Sequence, residues 1–198
     1  MTDTLDRAVA SIGNSALTES DVQAECRFEL FRNGRPAETA PDAAEFERIR
    51  DRLIDQKLLE QEAEAENLKL PDLSRQATEM LNQARAKYAT EALYQAALRS
   101  LGMDEPRVLE RLTRQVRTLW LIDQRLRSSV WVEQAEIEVY YRETFAPEYL
   151  RCSGGAAPSL ADVENQIREI LVQKKIDELL AKWLEELRSS RRLRVHSF

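Results

Sequence analysis

The sequence predicts a mostly α-helical protein whose two ends meet in a small antiparallel sheet. Three observations lead there. Glycine and proline are scarce, at 5 and 6 copies in 198 residues, while strong helix formers dominate. Apolar residues recur at three- and four-residue spacing through most of the chain, the period of one helix face. Short alternating segments occur near each end.

The first strands are predicted at about 7–12 and 15–17, joined by the turn dipeptide Gly13-Asn14. Thr18 followed by Asp21 approximates a capping box and opens a helix carrying Val22, Cys26, Phe28, Leu30 and Phe31. Asn33-Gly34 ends it, and Pro36 and Pro41 bracket a loop. From Ala43 a second helix bears Phe46, Ile49, Leu53, Ile54, Leu58 and Leu59 on one stripe and is expected to end near Asn67.

Asp72 is placed as the cap of one helix running to about Ser100, with Gly102 at its C-terminal end. Asp104-Glu105-Pro106 opens the next, to about Ser129, carrying Val108, Leu109, Leu112, Val116, Leu119 and Trp120. Val130-Trp131-Val132 is a short link. A helix from Glu133 to about Phe145 precedes a loop over 146–158, with Gly154-Gly155 as its most flexible point. Ser159 and Asp162 repeat the capping pattern ahead of a long final helix, and Leu193 to His196 alternates as a strand does. A two-stranded hairpin alone is marginal in water, so the terminal strand is expected to join the N-terminal pair.

Composition narrows the function. Hydrophobic residues reach 43% and charged residues 32%, enough apolar material for a core. The net charge of −6 argues against nucleic acid as a partner, and the run Arg188, Arg191, Arg192 and Arg194 fits a solvated terminus. No stretch approaches the roughly 20 apolar residues of a membrane span. The acidic start, Met1 to Asp6, does not fit a signal peptide, so either the chain is cytosolic or a signal has been removed. Cys26 and Cys152 match no metal or redox spacing, and the single histidine, His196, lacks a catalytic set around it in sequence. No catalytic residue, metal ligand or cofactor is expected, and the chain is expected not to be an enzyme.

The order of certain segments resembles the SurA-type periplasmic chaperones. Leu5 to Val22, with strand, turn, strand and acid-capped helix, is similar to the start of that family. Arg52-Leu53-Ile54-Asp55-Gln56-Lys57-Leu58-Leu59 is similar to its next helix. Val163 to Leu171, Lys174-Lys175 and Trp183 to Arg188 resemble its last helix, which family members follow with a strand. The resemblance covers both ends well and the middle loosely. It implies a single chaperone core over 1–198, formed by an N-terminal part, 1–145, and a C-terminal helix and strand, 159–198. The family's parvulin-type prolyl isomerase domain would stand at 146–158, where a domain of about 100 residues cannot fit.

The resemblance thus implies an ATP-independent holdase for unfolded or extended client polypeptides, periplasmic and serving outer-membrane protein biogenesis, without membrane insertion. Residues off the clean stripes are the candidates for client binding: Met103 at a turn, Trp131 in the link, and Phe145 and Tyr149 beside the loop. For each, a place in the core or an interface is the more common role. The alternatives are a helical structural module that dimerises, the non-catalytic part of a prolyl isomerase, and a cytosolic chaperone of the trigger factor type.

Overall fold

The computed structural model describes residues 6–35, 41–65 and 71–196. The fold is mostly α with a small three-stranded antiparallel sheet. Two compact units are present: Met1–Leu121 with Leu184–Phe198, and Ile122–Trp183.

In the first unit, β1 (Ala8–Ile12) and β2 (Ser15–Thr18) form a hairpin around Gly13, whose φ of 57° suits a residue without Cβ. The terminal strand β3 (Arg194–Val195) pairs with the other side of β1, giving the order β2-β1-β3. The expected union of the two ends is therefore present. Thr18 caps α1 (Glu19–Arg32): its hydroxyl accepts the Asp21 N–H at 3.3 Å, and the Asp21 carboxylate accepts the Thr18 N–H at 2.9 Å. Helix α2 is Ala43–Ala65; its expected end near Asn67, the Pro36 loop and the first five residues lie outside the described residues.

The single helix expected over 72–100 is two, α3 (Ser74–Arg85) and α4 (Glu91–Leu101). Local chemistry and tertiary contact together break it. The Thr90 hydroxyl accepts the Leu93 N–H and starts α4, while the Tyr88 hydroxyl leaves the helix path to donate to the Phe31 carbonyl at 2.8 Å. Gly102, at φ 69°, closes α4 as expected. Helix α5 is Glu105–Leu126, with the Asp104 carboxylate accepting the Arg107 N–H.

This unit is held by two apolar clusters. Phe28 and Phe31 of α1 meet Ala77 and Leu81 of α3, Tyr94 and Leu98 of α4, and Leu112 of α5. Val9 of β1 meets Val22, Cys26 and Leu30 of α1, and Phe46 and Ile49 of α2. Each fully buried large aliphatic contributes about 1.5–3 kcal/mol of transfer free energy. Between the helices sits Glu25, only 7% exposed. Its carboxylate is shared by Arg52 of α2, at 3.0 Å, and Arg111 of α5. Arg52 also binds Glu29, so one buried acid ties three helices together.

The second unit contains the end of α5, a 3-10 turn (Arg127–Ser129), the link 130–132, α6 (Gln134–Tyr140) and a π-helical turn (Tyr141–Phe145). Then come α7 (Ala146–Ser153) and most of α8 (Leu160–Ser190). The loop expected over 146–158 is thus half helix. Pro147 in the first turn and Glu148, Leu150 and Arg151 favour that helix, and Gly154, at φ 65°, terminates it. The core is Val132, Ile137, Val163 and Ile167.

Candidate functional site

The second unit is small and leaves much of its apolar material at the surface. Trp131, Val139, Tyr149 and Leu150 are all exposed, Trp131 to 77%. Exposed apolar side chains that gather into a patch mark contact surfaces, whereas singly scattered ones are ordinary.

Trp131 sits in an extended link whose backbone is fixed. The Lys175 ammonium on α8 donates to the Trp131 carbonyl at 2.6 Å and to the Glu136 carboxylate at 2.8 Å. Hydrogen bonding from Lys175 first, then from the Glu133 N–H, holds the Glu136 carboxyl below its ordinary range. The link is therefore tied to both α6 and α8 while its indole stays in solvent.

A ladder of rings follows. Tyr141, Phe145 and Tyr149 stack with centroids 6.1 Å apart at each step and interplanar angles of 21° and 26°. Its inner end is anchored: the Tyr141 hydroxyl donates to the Pro158 carbonyl at 2.8 Å, and Tyr141 and Phe145 pack on the core. The outer end, Tyr149, is exposed. The π-helical turn under Tyr141–Phe145 rotates the side-chain register there, an irregularity frequent at functional sites.

Close by in the same unit lies a shallow cleft of about 420 Å³, lined by Ala135, Val139, Tyr140 and Leu171 together with Glu136, Glu143 and Thr144. The Lys174 ammonium stands 4.5 Å over the Tyr140 ring, an internal cation–π contact. The arrangement suits apolar and aromatic side chains.

Of the sequence candidates, Trp131, Phe145 and Tyr149 fall in this unit, Phe145 as the half-buried middle of the ladder. Met103 belongs to the first unit, where it packs against the α1–α3–α4–α5 cluster. Val139, Leu150 and Leu171 were not singled out by sequence. Val139 carries a signal in hindsight: it stands two residues after buried Ile137, off the helix stripe.

Elsewhere, the Ser11 hydroxyl and His196 Nε2 lie 2.9 Å apart across β1 and β3 on an exposed face. The other ring nitrogen makes no hydrogen bond among the described residues. Cys26 is buried, which pushes its thiol up, and Cys152 is exposed; both are free. Among the described residues no group of three or more His, Cys, Asp or Glu could hold a metal ion, and no helix is long and apolar enough to cross a membrane.

No protein-family model matches the chain, and no curated protein matches it in sequence.

Proposed function

We propose that this chain is an ATP-independent holdase for unfolded polypeptides, similar to the SurA-type chaperones and acting in the periplasm on outer-membrane proteins. The observation that carries this is the Trp131 indole, exposed yet held on a pinned backbone within the unit that also displays Val139, Tyr149 and Leu150. The strand that follows the last helix supports the reading too, since members of the family it resembles also end on a strand after that helix.

The mechanism is passive. Apolar client segments lose water against Trp131, Tyr149 and the cleft beside Tyr140. Rigid aromatic rings give contact area at low entropic cost, and the net charge of −6 disfavours association of loaded complexes. Affinity is modest, because a disordered client is ordered on capture.

The test is suppression of aggregation of an unfolded outer-membrane protein and of an unrelated denatured enzyme, at one to ten equivalents of the chain. Suppression that Trp131→Ala with Tyr149→Ser halves or abolishes is the expected result. Undiminished aggregation of both clients would refute the proposal.

A further inference from the structure

The outer edge of β2 carries a second, different kind of surface. His196 donates its N–H to the Val9 carbonyl at 3.0 Å, so Val9 turns its backbone groups toward the terminal strand. Ser11, two residues on and opposite Arg194, turns its groups the same way. Opposite residues of an antiparallel pair either exchange both hydrogen bonds or neither. Ser11 faces Ala16 across the hairpin, so this pair exchanges none, and Ala16 turns its N–H and C=O away from the sheet. Ala16 is exposed, and among the described residues no strand lies beyond β2 in the sheet.

A hollow of about 470 Å³ lies along that edge. Ser15, Ala16 and Leu17 all line it. Successive strand residues point to opposite faces, so three in a row place the hollow against the edge and not on one face. Ile12, Ala24 and Leu53 add apolar surface. Lys57, Arg111 and Arg114 stand against Asp21, Glu25, Glu60 and Glu64, with Glu25 paired to Arg111, so the lining is nearly balanced and a strongly charged ligand finds little complement.

We infer that the β2 edge receives an extended, uncharged segment of an unfolded polypeptide as a fourth strand, its side chains entering the adjoining hollow. The donor and acceptor of Ala16 select the partner's conformation, since an extended backbone offers the matching pair. A second copy of this chain fits poorly: a four-residue edge falls far short of the roughly 1,200 Å² that a stable dimer buries. The inference builds on the reading of the chain as a binder of unfolded polypeptides, and it makes part of the capture sequence-independent.

The test uses the full chain and reduced, carboxymethylated α-lactalbumin, a permanently unfolded probe. Saturation with the probe is expected to slow hydrogen exchange of the Ala16 amide at least tenfold. Ala16→Pro removes the outward donor without touching the β1 ladder, a position where edge strands tolerate proline. It is expected to weaken probe binding at least fivefold with an unchanged thermal midpoint. Binding of the probe with Ala16 exchange unaltered overturns the inference and leaves the holdase reading standing. No binding by the wild-type chain overturns both. Protection of Ala16 without probe, lost on dilution, assigns the edge to a second copy and also overturns it. The exchange measurement needs no variant and decides the matter even if Ala16→Pro does not fold.

Discussion

The Arg111 guanidinium lies over the Phe28 ring, 4.2 Å from its centroid, while one of its nitrogens binds the buried carboxylate of Glu25. One side chain thus serves as an apolar lid and a counter-ion. Glu25→Ala would strand Arg111 near the core without its partner. A loss of about 3–5 kcal/mol is expected in urea unfolding. Arg114→Ala, which breaks only the exposed pair with Glu110, should change stability by less than about 1 kcal/mol.

Gly34 stands at φ 67°, and a Cβ built there would lie 2.8 Å from the Lys87 Cβ. Gly34→Ala combines left-handed strain of about 1–2 kcal/mol with a steric conflict against the α3–α4 connection. Gly154, at φ 65°, has open space around it. Gly154→Ala should therefore cost about 1–2 kcal/mol and clearly less than Gly34→Ala. Thermal unfolding of both variants gives the comparison.

Trp131→Ala and Ile137→Ala separate surface from core in the second unit. Trp131 is 77% exposed and Ile137 is fully buried. The first should alter stability by no more than about 0.5 kcal/mol. The second should cost about 2–5 kcal/mol. Circular dichroism melts of both, set beside their holdase activity, would show a functional loss without a structural one for Trp131 alone.

Glu136 titrates below the ordinary glutamate value because Lys175 donates to it. A depressed folded-state pKa stabilises fully above the ordinary value, and that contribution disappears as pH falls through the depressed one. Lys175→Ala should raise the Glu136 pKa toward the ordinary range, short of a full return because the Glu133 N–H still donates to it. A carbon-detected NMR titration of its carboxyl reads this directly, and an unchanged Glu136 pKa in the variant would remove Lys175 as the cause.

Much of the fold was legible because local rules and tertiary demands agreed. Thr18 with Asp21, Gly102, and the alternation of Leu193 to His196 each act within a few residues: the cap and the stop stand where expected, and a strand forms, though only over Arg194–Val195. Reading failed where partners are distant in sequence. Nothing near Tyr88 announces its bond to Phe31, 57 residues earlier. Nothing near Glu25 announces burial beside Arg111, 86 residues later. Leu119 was placed on the α5 stripe, yet it is exposed while Leu121 is buried, because a straight helix drifts against a fixed apolar pattern. In the candidate site, the aromatic residues 141, 145 and 149 share a four-residue spacing, but their stacking crosses a π-helical turn that no propensity announces.

The sheet has a temporal property as well. Its central strand is β1, and the bond between Ser11 and His196 spans 185 residues. A ribosome adding about 5–20 residues per second makes β1 wait roughly 10–40 s for its second neighbour. Through that interval β1 has only β2 beside it, and a hairpin alone is marginal in water, so the sheet waits for residues 194–195. Strand β3 then covers one flank of β1, so the sheet is complete only once segments 185 residues apart have met.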